Sequence, residues 1–453
     1  MRIAIIGTGI AGMAAAYLIR RRHEITVFEQ SDYIGGHANT VTVSERGRPL
    51  GVDTGFVVFN PERYPNLVRL FDQLGVATQE TDMSFSVRCR CCNLEYSPQT
   101  LRTLFAQKRN LVRPSHYRMI RDGLRAVHDA REFLAHANGS VPTLAEYIAA
   151  RGYSRAFADH LLVPLAAAIW SSAPAETLAM PAEFCLRFFD NHRMLETRDK
   201  PTWRTVVGGS RAYVHKLTAG FRDRIRLNCG IARVRRSETG VALTDVHGQT
   251  HDFDGVVVAA HADQALRMLA DPSDAERDLL GAFSYSRNAT VLHTDRSVLP
   301  RRSLLHSSWN YELEDCRSYR ATNGHTSVGQ TGASAGQPVG PNCCAAGRED
   351  QVTLTDRHVS LSYNMNRLQR LDTDETYCVT LNRQRPIDER QVVGRFDYEH
   401  PIFSRPALDA QRRLPALNGA RRTWYCGAHF GFGFHEDGLA SALAVAKDFG
   451  ITL

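Results

Sequence analysis

Short apolar runs and longer helical stretches alternate from the start of the chain. Arg2–Ile6 is almost wholly apolar, residues 13–19 (Met-Ala-Ala-Ala-Tyr-Leu-Ile) have helical composition, and Glu24–Phe28 turns apolar again. An apolar strand enters a glycine turn and leaves as a helix, and a second strand follows. The period then changes. Tyr117, Ile120, Leu124, Val127 and Leu134 recur at helical spacing, and residues from about 100 to 195 read as a mostly helical insertion. Strand-like segments follow at Ile225–Asn228, Ile231–Val234 and Val241–Thr244, and Gly255–Ala260 is a continuous apolar run, so the first sheet resumes after the insertion.

From Ser284 to about Ala407 short alternating segments, among them Val352–Leu354, His358–Tyr363 and Tyr377–Leu381, predict an antiparallel sheet. Between them Thr322 to Asp350 is rich in Gly, Ser, Thr, Asn and Pro and reads as a long loop or lid. Its Gly332 and Gly336 are not a second phosphate turn, because no apolar strand leads into them. The chain closes with a strand, Thr423–Gly427, a turn to Gly438, and a helix from Leu439 to Phe449. No internal repeat is visible.

The chemistry sits at the first strand-to-helix junction, Gly7-Thr8-Gly9-Ile10-Ala11-Gly12. Gly7 permits the tight turn, Gly9 lets backbone amides approach a pyrophosphate, and Gly12 lets helix and strand pack closely. Glu29 ends the second strand, about twenty residues past Gly9, where a carboxylate accepts a ribose hydroxyl. The pattern predicts a dinucleotide site. A second helix N-terminus, near Gly438, is aimed at the same place and favours an electron-rich ligand.

Composition narrows the picture. At 453 residues, 43% of them hydrophobic, the chain accommodates two or three domains. It shows no secretory leader and no apolar run of about eighteen residues, so we expect a cytoplasmic protein with reduced thiols among its ten cysteines. Cys89, Cys91 and Cys92 are crowded but lack a second ligand pair at zinc spacing, and no metal is expected. The net charge of +7 comes without a nucleic-acid motif, so no nucleic acid is expected. Lys108, Arg109, Arg113, Arg118 and Arg121 cluster around Leu104, Phe105, Leu111 and Val112; this is either a solvated helix face or a peripheral surface toward anionic lipid. No nucleophile elbow points to other chemistry, and the crowded Cys89, Cys91 and Cys92 read as ordinary thiols rather than a redox centre.

The N-terminal glycine turn, the pair Gly35-Gly36 followed by His37, and the closing glycine-rich turn together resemble the flavin-dependent amine oxidase and phytoene desaturase superfamily, over essentially the whole chain. Within it the chain is similar to a bacterial group described as predicted NAD/FAD-binding oxidoreductases. The residues carrying this are Gly36–Thr40, Val52–Asn60, Tyr64–Leu67, Asp82–Val87, Phe188–His192, Trp203–Val206, Gly208–Arg211, Ser308–Tyr311, Cys426–Ala428 and Gly433–Gly438. That group is associated with cyclopropane fatty acid synthases. The resemblance implies an α/β fold: a Rossmann-like FAD-binding domain of the amine oxidase type, residues 1–80, 205–285 and 415–453, and a discontinuous α+β substrate domain, 81–204 and 286–414.

By the same resemblance FAD is the cofactor. Gly7, Gly9, Ile10, Ala11 and Gly12 would lie at its pyrophosphate, Glu29 at the ribose, Gly36 and His37 by the phosphates or flavin, and Gly55 and Phe56 near the isoalloxazine. Ile231 would read adenine, and Gly427, Asp437, Gly438 and Leu439 would form the closing flavin motif. His192, Trp309 and Tyr311 are candidate substrate contacts, each as readily a structural residue. Arg204 is a further candidate facing the flavin. His435 and Glu436 are candidate acid–base groups, while Asp437 serves either ribityl oxygens or the helix cap.

Two departures matter. His37 stands where most amine oxidases have arginine, and Asn288–His293 carries no lysine where they place one beside the flavin. These features favour an FAD enzyme taking a hydride from an apolar substrate, a fatty acyl lipid. An amine or isoprenoid substrate, or a non-catalytic flavin-binding partner of a lipid methyltransferase, remains open.

Overall fold

The computed structural model describes residues 1–136, 142–196, 201–314, 316 and 360–453. The expected loop or lid at 322–350, and the segments Val352–Leu354 and His358–Val359, lie outside the described residues. The opening pattern forms a five-stranded parallel sheet. Arg2–Ile6 is central, flanked by Glu24–Phe28 and then Ile225–Arg226 on one side, and by Gly255–Val258 and then Thr423–Tyr425 on the other. Ile3 aligns with Gly255 and with Ile25, so the sheet is assembled from segments more than two hundred residues apart. Its central strands Arg2–Ile6 and Gly255–Val258 are almost wholly apolar and buried because helices cover one face and further apolar side chains the other.

The helix Ile10–Ile19 packs along the closing helix, His435–Asp448, through Ala11, Met13, Ala14, Leu439, Ala442 and Val445. The closing helix begins four residues earlier than the pattern predicts. Asp437, in its first turn, accepts the Phe434 amide at 2.9 Å and so starts the helix before Gly438. The strand predicted over Ile225–Asn228 stops at Arg226, because Asn228 takes a left-handed conformation.

The second large sheet has seven strands and is mixed. Ser284–His293, Val392–Ile402, Cys378–Leu381, Ser360–Asn364 and Trp309–Leu313 pair antiparallel, as expected. Trp309–Leu313 also pairs in parallel with Phe85–Cys89, a strand from before the helical insertion that the alternating pattern does not announce. The hairpin Thr40–Glu45 and Arg48–Asp53 packs against this sheet through Val43 and Val52.

The insertion is helical, with Pro114–Ala135 its longest element. Its buried face differs from the one the apolar spacing marks: Leu124 is 65% exposed, whereas His116, Met119, Asp122 and Asp129 are buried. The buried acids are satisfied locally, Asp122 by the Ser154 amide and Asp129 by the Tyr153 hydroxyl.

Candidate functional site

Between the two sheets lies a cavity of about 830 Å³. One end is backbone. Gly7 turns at φ +99, and a Cβ there would meet the Ala259 carbonyl at 2.6 Å. A Cβ on Gly12 would strike the Gly7 carbonyl, which is how helix and turn come so close. Gly9 differs: a Cβ there would meet nothing within 4 Å, so its open side faces the cavity. Gly9 caps the helix without any side-chain hydrogen bond, leaving the first-turn amides at Ile10 and Ala11 directed at that space.

Glu29 is buried and accepts from the Thr8 amide at 2.9 Å, the Thr8 hydroxyl at 2.5 Å and the Ser31 amide at 2.8 Å. It therefore ties the glycine turn to the end of the second strand while lining the cavity. Gly36, at φ +57, lies over Gly9, its Cβ position 3.2 Å from the Gly9 Cα. His37 follows. Its carbonyl accepts the Phe56 amide at 2.7 Å and closes so tightly on Gly55 that a Cβ there would approach it to 2.2 Å. Phe56 then stacks on His435 with centroids 3.6 Å apart. Ile231 and Gly427 complete this end.

The structure does not bring every candidate here. Asp437, Gly438 and Leu439 do not line the cavity. Asp437 caps the last helix, and burial lifts its carboxyl to about 6. Gly438 lets that helix rest on Ile10, and Leu439 is fully buried between the helices. Glu436 accepts from Asn66 and the Leu67 amide, anchoring the helix Pro65–Leu74. Arg204 is committed to Thr78. Trp309 reaches the cavity, whereas Tyr311, two positions on along the same face, is covered by the helical insertion. His192 stands behind the wall, stacked on Phe188 at 3.9 Å and edge-on to the cavity residue Tyr64. Burial holds its pKa down, to about 4.

Several cavity residues escaped the sequence reading, chiefly Tyr398, His400, His261 and Tyr285. Tyr398 and His400 alternate along Val392–Ile402, and only the pairing with Ser284–His293 turns that face inward. The Tyr398 hydroxyl bonds to Thr54 at 2.6 Å and accepts from Asn39 at 3.2 Å, which fixes the loops carrying His37 and Gly55. Asn288, at the lysine-free stretch, is fully buried and donates to His400 Nδ1 at 3.0 Å. Burial pushes the imidazoles downward, His400 to about 4 and His429 and His435 to about 3. Burial thus favours the neutral form of these imidazoles, and no lysine lines the cavity among the described residues.

Comparison with known proteins decides what this arrangement belongs to. The family model for flavin-containing amine oxidoreductases matches residues 10–363. The chain belongs to that family. The chain is similar to AofH of Mycobacterium tuberculosis, named by proposal as a flavin-containing monoamine oxidase, at 26% identity over 267 residues. That match covers 57% of this chain and 56% of AofH, so the chain aligns with about half the length of this relative. Among solved structures a CLA-producing fatty acid isomerase from P. acnes superposes with a TM-score of 0.64 at 17% identity, over 99% of this chain and 98% of that one. Putrescine oxidase bound to putrescine gives 0.63 at 12%, over 99% of each. Cyclohexylamine oxidase from Brevibacterium oxydans gives 0.63 at 14%, also over 99% of each. These likenesses establish the amine oxidase fold.

Family membership makes the cofactor a flavin, and FAD suits the residues present. The open side of Gly9, the uncapped helix at Ile10 and Ala11, and the buried Nε2 atoms of His37 and His429, which have no partner among the described residues, are what a bound dinucleotide would satisfy.

Proposed function

We propose that this protein is an FAD-dependent oxidoreductase that takes a hydride from an apolar substrate, a fatty acyl lipid. The observation that carries this is the character of the cavity beyond the glycine turns. Ile169, Trp309, Tyr363, Met365, Leu368 and Val379 supply an apolar wall there. The carboxylates that reach the cavity already have partners: Glu29 has Thr8 and Ser31, Asp53 has Thr40 and Ser210, Asp397 has Arg287, and Glu399 has His261. An alkyl chain entering such a wall gains about 25 cal/mol per Å² of buried apolar area, whereas an ammonium group would have to compete with the partners these carboxylates already hold.

Flavin, when bound, supplies the two-electron acceptor. The chain's part is to hold the dinucleotide with the amides after Gly9, to exclude water with the aromatic wall, and to offer neutral imidazoles as hydrogen-bond partners. The N-terminus of the closing helix, beside Gly433, Phe434 and His435, adds positive potential that favours an electron-rich ligand. The name of the fatty acid isomerase among the structural neighbours supports an acyl substrate.

One feature favours a second reading. Trp309 and Tyr363 stand perpendicular at 5.2 Å, and an aromatic face of this kind attracts a cation. With the names of AofH and putrescine oxidase it supports an amine. The two readings separate under anaerobic addition of unsaturated fatty acids, phospholipids, amines and isoprenoids to the purified flavoprotein. Bleaching of the flavin band by acyl lipid supports the proposal. Bleaching by amines or isoprenoids alone replaces it, and a flavin that no substrate reduces points to a non-catalytic role beside a lipid methyltransferase.

An acyl substrate also gives meaning to the surface around residues 101–118. Leu101, Leu111, Val112 and Tyr117 are exposed, Val112 by 80%, among exposed Arg102, Lys108, Arg109 and Arg118. We extend the proposal to peripheral contact with anionic membrane through this face. Sedimentation with anionic but not neutral vesicles is the expected result. Among the described residues, no helix is long and apolar enough to cross a membrane.

A further inference from the structure

We propose that Cys89, Cys92, His160 and Cys316 form a structural zinc site, remote in role from the flavin cavity and independent of the substrate reading. The spacing of Cys89 and Cys92 supplies one ligand pair, and the fold supplies the other. One ligand atom from each of the four residues lies within 4.8 Å of all the others. All four are buried, the most accessible of them at 5%. Tetrahedral coordination with Zn–S near 2.3 Å and Zn–N near 2.0 Å places ligand atoms roughly 3.5–3.8 Å apart, within reach of this arrangement after small side-chain rotations. Three thiolates and an imidazole with no position left for water form a zinc set of structural rather than catalytic type.

The backbone explains why the four converge. Cys89 ends the strand Phe85–Cys89, and the turn to Leu94–Tyr96 passes through Cys92 and a left-handed Asn93, so both sulfurs face the same way. Arg113 holds this turn by donating to the Cys92 carbonyl at 2.9 Å. His160 sits in a π-helical turn, Ala158–Leu162, a local widening of a helix that is frequent at functional sites. The Tyr96 hydroxyl donates to the His160 carbonyl at 2.7 Å, and His160 Nε2 lies 3.4 Å from the Cys92 sulfur. Cys316 follows the strand Trp309–Leu313, in which Leu313 pairs with Cys89 itself. Cys91, between the pair, is not part of the group.

Binding would displace three thiol protons to solvent and form three Zn–S bonds and one Zn–N bond, with no electrons transferred. The product, Zn²⁺ with three thiolates and a neutral imidazole, carries one negative charge. It would pin the hairpin at 85–96, the helical insertion and the segment after Leu313 to one another, a role suited to a junction of sheet and insertion.

The test is the metal content of the full-length protein purified without chelator, with X-ray absorption at the zinc edge. The expected result is one zinc per chain, three sulfur neighbours and one nitrogen. Cys92→Ser and Cys316→Ser should lose it, while Cys91→Ser keeps it. If the serine variants fail to fold, the absorption spectrum of the wild type and stoichiometric zinc release by a mercurial decide the matter. Protein that neither contains zinc nor takes it up after reduction, a disulfide within the group, a different metal, or zinc that persists in both serine variants would overturn the assignment. Flavin absorbance, read on the same samples, reports separately on the cofactor site.

Discussion

The two ends of the cavity are built on different principles. At the parallel sheet the site is backbone: glycines at 7, 12, 36 and 55 bring main chain together, Gly9 leaves its side open to the cavity, and Glu29 is the principal carboxylate. At the seven-stranded sheet the site is side chain: Trp309, Tyr363, Tyr398, His400 and their neighbours converge from strands that meet only after folding. Backbone sites demand particular residues at fixed local spacing. Side-chain sites demand only that distant segments arrive at the same place.

The largest test of this contrast is Gly9→Leu. The empty surroundings of Gly9 tolerate the side chain, but it fills the space a pyrophosphate needs. We expect a folded protein, shown by circular dichroism and a melting temperature unchanged for the flavin-free chain, with FAD affinity reduced roughly hundredfold, about 2.8 kcal/mol. Unchanged flavin content would contradict the cradle. Glu29→Ala removes an acceptor serving Thr8 and Ser31 and should cost about 1.5–3 kcal/mol in denaturant unfolding, with weaker flavin binding.

At the other end the effects should fall on substrate rather than cofactor. Trp309→Ala should leave the flavin spectrum intact and raise the acyl concentration for half-reduction about tenfold, or about 1.4 kcal/mol. Equal loss of flavin would erase the division between the two ends. Tyr398→Phe loses the bond to Thr54 and should destabilise the protein by about 1 kcal/mol, measured by urea unfolding.

The histidine cluster gives a pH test. Because burial holds His400, His429 and His435 at about 4 or 3, the unfolded chain takes up protons below its ordinary value near 6.5 that the folded chain refuses. Their contribution is complete above pH 6.5 and is lost as pH falls toward 4. Asp53 and Asp437, lifted by burial to about 6, act in the opposite sense between 6 and their ordinary value, and offset part of it. The melting temperature should fall by several degrees between about pH 7 and about pH 5.5. A flat or rising profile would mean the cluster is not desolvated.

The same contrast explains what was legible in the sequence. Gly7, Gly9, Gly12 and Glu29 could be placed from spacing alone, because a turn, a helix start and a strand end lie within thirty residues. The central strands Arg2–Ile6 and Gly255–Val258, short continuous apolar runs, were equally plain. Tyr398 and His400 were not, since nothing local tells which face of Val392–Ile402 meets the cavity until Ser284–His293 pairs with it. Asp437 and Leu439 look like ligand residues in a motif and serve as cap and core, because a closing helix must be started and packed before it can point at anything. His160 and Cys316 were invisible as ligands for the same reason that Trp309 and Tyr311 part company: position along the chain does not tell what lies on top.

The most direct measurement of the central claim is anaerobic flavin reduction against a series of fatty acyl substrates of increasing chain length. If the seven-stranded end is an apolar acyl site, each added methylene contributes about 0.8 kcal/mol and lowers the half-reduction concentration about fourfold until the cavity is filled. Reduction that ignores chain length, or that only short amines produce, would contradict it.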